Sequence, residues 1–184
     1  MGKVRTATAA IALAACGVLM AAGPAAAEAG YDDIAMYKQE KTQWCWVASG
    51  LTIARYQGYG STQTDFCNRA QPYYGCDNKP ATLDDMARAW GSLGMAHTGT
   101  GLNRAASFDQ IHTEVKASRP LGARIGWTSG GGHMNVIYGF DTSNTTIGVA
   151  DPWPDTTTYT WWNYNHYVSN NSHQWTHSRI GISR

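Results

Sequence analysis

Pro120 separates two kinds of hydrophobic pattern in this chain, and that change of period restricts the possible folds more than any other feature. Upstream of it the apolar residues recur at helical spacing. After Cys45, residues Val47, Leu51 and Ala54 share one face. Thr82-Leu83-Asp84-Asp85 has the form of a capping box, and Leu83, Met86, Ala87 and Trp90 continue as a helix. Ser107-Phe108-Asp109-Gln110 repeats that signature ahead of Ile111 and Val115. Pro120 then stops helix growth, because it has no N–H to donate and its ring clashes with the preceding turn. Downstream the period becomes two. Leu121, Ala123, Ile125 and Trp127 alternate with Gly122, Arg124 and Gly126. After the break at Ser129-Gly130-Gly131-Gly132, a second strand is predicted from His133 to Phe140, with others at Ile147–Val149 and Tyr159–Trp161. Turn residues at Thr142–Asn144 and Pro152–Asp155 separate them. Helices followed by strands predict an α+β domain, its helical N-terminal half packed on a mainly antiparallel sheet, with a cleft between the halves.

Residues 1–27 read as a secretory signal peptide. Lys3 and Arg5 precede an apolar run from Ala7 to Ala22, and Ala25-Ala26-Ala27 forms a small-residue cleavage signal before Glu28. The run is short for a bilayer span and no second long one follows, so no membrane-spanning segment is expected. Leu13-Ala14-Ala15-Cys16 resembles a bacterial lipobox, whose cysteine would carry a lipid anchor. The apolar run continues past Cys16 through Val18, Leu19 and Met20, which favours ordinary secretion. Residues 28–184 then form one domain of 157 residues. They carry 12 basic against 13 acidic side chains, without the basic footprint that nucleic acid or an anionic membrane requires.

Beyond the leader three cysteines remain, Cys45, Cys67 and Cys76. Cys67 and Cys76 flank a turn-rich stretch that a disulfide can close, which leaves Cys45 as an unpaired thiol in an oxidising compartment. It stands in Gln39-Glu40-Lys41-Thr42-Gln43-Trp44-Cys45-Trp46-Val47-Ala48-Ser49, where a helix begins. The helix dipole and free first-turn N–H groups there favour a thiolate. Most free cysteines are inert small hydrophobes, but this position argues for a nucleophile. A nucleophilic thiol needs a base. Of the six histidines, His133 follows three glycines and opens an apolar strand, which lets substrate approach and holds the ring rigidly. His173 and His177 lack any metal-binding pattern and are expected at the solvated surface, and no metal or cofactor is expected. Asp151, in Val149-Ala150-Asp151-Pro152-Trp153-Pro154, closes the strand after the one that His133 opens, where it can orient the imidazole. Asp before Pro also commonly starts a turn, and the two roles are compatible.

Together these residues resemble the papain-like cysteine peptidases, most closely the bacteriocin-processing peptidases and the effector peptidases of bacterial plant pathogens. The likeness rests on Gln39, Cys45 between tryptophans, His133 after its glycines, and Asp151 before Pro-Trp, and it runs from Gln39 to Trp153. It implies a papain-like fold with Cys45, His133 and Asp151 as a triad. Gln39, six residues before Cys45, takes the position of that family's oxyanion-hole glutamine, while Gln43 serves the local turn. Papain has Asn as third member, and Asp at 151 favours the bacterial branches. The implied activity is hydrolysis of a peptide or protein substrate by a secreted monomer. The same machinery serves other acyl transfers, as in a transglutaminase or a cell-wall amidase. A non-catalytic binding module would instead use the aromatic-dense stretch Trp161–Tyr167 to stack on glycans, although such residues more often pack a sheet face.

Overall fold

The computed structural model describes residues 26–70 and 75–184. Most of the expected signal peptide, including Cys16, and residues 71–74 lie outside the described residues. In chain order the elements are β1 (Ala29–Tyr31), α1 (Cys45–Tyr56), α2 (Gln63–Ala70), α3 (Leu83–Ser92), β2 (His97–Leu102), α4 (Phe108–Lys116), β3 (Leu121–Trp127), β4 (Gly132–Asp141), β5 (Thr146–Ala150), β6 (Tyr159–Asn163), α5 (Tyr164–Val168) and β7 (His173–Ser183). The strands form one antiparallel sheet in the order β2-β7-β3-β4-β5-β6, and β1 pairs with the far end of β4. The α+β class and the helix-then-strand order follow the change of period at Pro120.

Both capping boxes form. Thr82 and Asp85 cap α3 reciprocally, as Ser107 and Gln110 cap α4, so orphan N–H groups at each helix start find partners. One core lies between α1–α3 and the sheet, with Trp44, Trp46, Leu51, Phe66, Met86 and Trp90 fully or almost fully buried. Helices α1 and α3 approach closely at Gly50, whose carbonyl accepts the Trp90 indole N–H at 2.9 Å. A Cβ at Gly50 would stand 2.5 Å from the Phe66 ring, so only glycine permits that approach. The second core lies on the opposite face, where Ile111 and Val115 of α4 meet Leu121, Ala123, Ile125, Ile137 and Phe140.

The two-halves picture requires refinement. Strands β1 and β2 belong to the N-terminal half yet join the C-terminal sheet, and α4 packs on the face opposite α1–α3. The longest strand, β7, has no clear alternation in its sequence, and it lies between β2 and β3. Placing it there corrects the expectation for His173. That side chain is buried, with its Nε2 3.0 Å from the Tyr167 carbonyl, and burial lowers its pKa. His177 is exposed, as expected. The stretch 161–167 divides between environments: Trp162 and Tyr167 pack into the second core, whereas Trp161 projects into solvent.

Candidate active site

Cys45 is the first residue of α1 and the free cysteine among the described residues, half-buried rather than hidden. Helix α1 starts at Trp44 with no side-chain cap and no acidic residue in its first turn. Its N-terminal N–H groups therefore point, unneutralised, toward the region of the sulfur, an environment suited to negative charge. The flanking tryptophans are wholly buried and tethered: Trp44 Nε1 donates to the Asp77 carbonyl and Trp46 Nε1 to the Lys79 carbonyl, each at 3.0 Å. The loop that receives them follows Cys76, which is disulfide-bonded to Cys67. The expected disulfide thus also positions the support on which the thiol rests.

His133 opens β4 opposite Ile125 of β3. The turn before it needs its glycines, because Gly130 and Gly131 have φ of 97° and 80°. The ring is 8 % exposed, and its Nε2 lies 2.8 Å from Asp151 Oδ1. Antiparallel pairing of Val136 with Ala150 brings Asp151 alongside the start of β4. With Nε2 engaged by Asp151, Nδ1 remains for the Cys45 thiol, which acts on the ring's titration. Burial works against a charged ring. The hydrogen bond and charge of Asp151, with the neighbouring Cys45, override it and raise His133 to about 9. Asp151 itself is held low: burial pushes it up, but His133, the Trp153 backbone N–H and the charge of Lys38 outweigh that. His133 and Asp151 form an ion pair at neutral pH, beside the thiol of Cys45.

Gln39 is buried, and its Nε2 donates to the carbonyls of Lys41 and Thr42 at 2.8 and 3.0 Å. Its Oε1 has no hydrogen-bond partner among the described residues. Both amide hydrogens thus brace the loop that enters α1. Gln43 is exposed, and its backbone N–H donates to Asn78 Oδ1.

Several site residues carry no signal in the sequence. Lys38 Nζ donates to the carbonyls of Asp151, Trp153 and Thr156, and Gln39 N donates to the Pro152 carbonyl, so the strand-like segment before the nucleophile clamps the loop after the acid. Trp127 lies nearly parallel to the His133 ring with centroids 6.2 Å apart, and Trp153 meets it edge-on at 6.5 Å. A cleft of about 380 Å³ beside Asp151 is bordered by Trp127, Asn135, Trp162 and His173. The alternation in β3 places Trp127 on the apolar face with Leu121, Ala123 and Ile125, whereas its exposure and its place over the imidazole depend on the β3–β4 turn.

Residues 28–171 match the family of the papain-like cysteine protease AvrRpt2. Comparison with curated proteins finds no match. Two solved structures share the fold at 14 % identity. One is the peptidase domain of Streptococcus ComA, a bi-functional ABC transporter of a quorum-sensing pathway, with a TM-score of 0.59 over 80 % of this chain and 97 % of that one. The other is a double-glycine-motif protease from an AMS/PCAT transporter in complex with its leader peptide, with a TM-score of 0.53 over 84 % of this chain and 95 % of that one. The family match spans most of the chain and includes both sides of the Cys45–His133–Asp151 array: the chain belongs to the papain-like cysteine protease family of AvrRpt2 and is a cysteine-type peptidase.

Proposed function

We propose that this protein is a secreted peptidase that hydrolyses peptide bonds through Cys45, His133 and Asp151, with Gln39 and the Cys45 backbone N–H as the oxyanion hole. The observation that carries the reading is His133 Nε2 held 2.8 Å from Asp151 Oδ1, which leaves Nδ1 for the free Cys45 thiol at the start of α1. Cys45 Sγ attacks the substrate carbonyl as thiolate. The C–S bond forms, and the carbonyl electrons move onto oxygen, where the uncapped start of α1 favours negative charge. The imidazolium of His133 protonates the leaving nitrogen as the C–N bond breaks. Water, deprotonated by His133, then attacks the thioester, and the C–S bond breaks to restore the thiolate. Asp151 orients the ring and stabilises its positive charge but takes no proton. For Gln39 to reach the oxyanion, one hydrogen now given to Lys41 or Thr42 must turn toward substrate.

The Cys67–Cys76 disulfide supports an oxidising destination, and residues 28–184 are the proposed mature domain. A peptide ligand is supported by the structural neighbour that was captured with a leader peptide. The test is expression of the full-length gene, with terminal sequencing and peptide-library digestion of the exported product. Glu28 is expected as the first residue. Cleavage should disappear in Cys45→Ala and nearly so in His133→Ala. A folded Cys45→Ala protein that still cleaves would refute the assignment.

A further inference from the structure

Three of the four large hydrophobic side chains exposed among the described residues, Tyr31, Tyr159 and Trp161, border one cleft of about 330 Å³. Strand register builds it. Tyr31, Gly139, Gly148 and Trp161 occupy one cross-strand row over β1, β4, β5 and β6. The two central glycines let aromatic rings lie against the backbone. A Cβ at Gly139 would stand 2.8 Å from Trp161 Cη2 and 3.1 Å from Tyr31 Cβ, and one at Gly148 would stand 2.9 Å from Tyr138 Cζ. Tyr138 meets Tyr159 and Trp161 steeply, at 77° and 65°, with centroids 5.6 and 6.0 Å away, so the rings wall a corner instead of closing into a stack. Tyr159 is pinned there, since its hydroxyl donates to the Ile34 carbonyl and accepts from Met36 N.

Carboxylates complete the cleft. Asp32 lines it and is 3 % exposed. Its Oδ1 accepts from the Tyr56 hydroxyl at 2.8 Å, whereas Oδ2 has no hydrogen-bond partner among the described residues. Asp33 is exposed at the rim. No lysine or arginine among the described residues lines the cleft. Burial raises Asp32 to about 6, against the lowering effect of Tyr56, so the carboxylate is ionised at neutral pH. An unpaired buried carboxylate oxygen calls for a donor, and aromatic faces carry the negative end of their quadrupole. Water satisfies the first requirement only and an apolar group the second only. A bare metal ion would find one buried carboxylate among rings. A primary alkylammonium group, with N–H donors and a full positive charge, meets both.

We infer that this cleft binds a primary alkylammonium group, that of a lysine side chain in a peptide. The site is separate from the Cys45–His133–Asp151 array, and binding does not depend on turnover. The test uses the exported Cys45→Ala protein, titrated with N-acetyl-lysine methylamide, with N-acetyl-norleucine methylamide as its neutral isostere, and with choline as a cation whose nitrogen has no N–H. Tryptophan fluorescence and backbone amide shifts of residues 31–34 and 159–161 serve as readouts. The lysine derivative should bind saturably, about tenfold or more tighter than the norleucine isostere. Trp161→Ala and Asp32→Asn should each weaken it by about fivefold or more. Choline binding as tightly as the lysine derivative would show that no N–H is recognised, and overturns the inference. Equal affinity for the lysine derivative and its isostere, absence of saturable binding, or full binding by folded Trp161→Ala also overturns it. Should Asp32→Asn fail to fold, the exposed Trp161 still decides.

Discussion

Replacing Asp151 measures how strongly the fold holds His133 as a cation. The imidazole titrates ordinarily at 6.5 and is raised to about 9 here, although burial alone would lower it. Asp151→Ala deletes the 2.8 Å hydrogen bond to Nε2 and leaves that burial in place. A hydrogen bond to a charged group contributes about 1.5–3 kcal/mol. At about 1.36 kcal/mol per pH unit, that is about 1–2 units. The imidazolium of the variant should therefore be lost near about pH 7–8, so the alkaline limb of kcat/KM moves down by about 1–2 units. At pH 8 the expected fall in kcat/KM is about 10- to 150-fold, with residual turnover still measurable. Asp151→Asn keeps an oxygen for both His133 and the Trp153 backbone N–H and removes only the charge, so its loss should stay below about tenfold. The sign also applies to stability. Because the folded pKa is raised, the contribution of His133 is complete below 6.5 and disappears as pH rises through about 9. The assay is kcat/KM against pH for the three proteins, with iodoacetamide alkylation of Cys45 over the same range. A folded Asp151→Ala protein with an undiminished rate and an alkaline limb still near 9 would refute the reasoning.

Intact mature protein, residues 28–184, under non-reducing conditions should take up one equivalent of thiol reagent, mapped to Cys45; label on Cys67 or Cys76 would break the pairing. Gln39→Ala should lose about 10²–10³ in kcat with far less change in KM while Cys45 still alkylates, whereas Gln43→Ala should be much milder; the reverse ranking in folded proteins would overturn the oxyanion assignment. Replacing both Cys67 and Cys76 by Ser opens a loop with a sequence separation of 9, worth about 2.6 kcal/mol by chain entropy. Because Trp44 and Trp46 are hydrogen-bonded to the loop after Cys76, kcat/KM should fall with stability; an unfolding midpoint equal to the wild type would show that the bridge does not support that loop.

Local rules carried a large part of this protein. Capping chemistry set the starts of α3 and α4, Pro120 ended the helical pattern, and period-two alternation marked β3. Cysteine arithmetic separated Cys45 from the Cys67–Cys76 pair. These signals are legible because each depends on residues only a few positions apart. Where the relevant partner is remote, the same rules have nothing to act on. Strand β7 joins the sheet through pairing with β2, some 80 positions earlier, and with β3, so its polar sequence is no obstacle to a place between them. His173 reads as a surface residue until that strand is laid down and Tyr167 supplies a carbonyl. Lys38 looks like any solvated lysine, yet it is held by three carbonyls of the loop after Asp151. Gln39 stands at the family's offset from Cys45, but only the folded loop decides where its two amide hydrogens go. Even the aromatic cleft at Tyr31 and Trp161 depends on which glycines the register sets between them. Element type and the candidate nucleophile follow from short-range backbone chemistry. The orientation of His133, its charge and the clamp around it arise only when strands far apart in sequence bring buried polar groups into contact and exclude the water that would otherwise satisfy them.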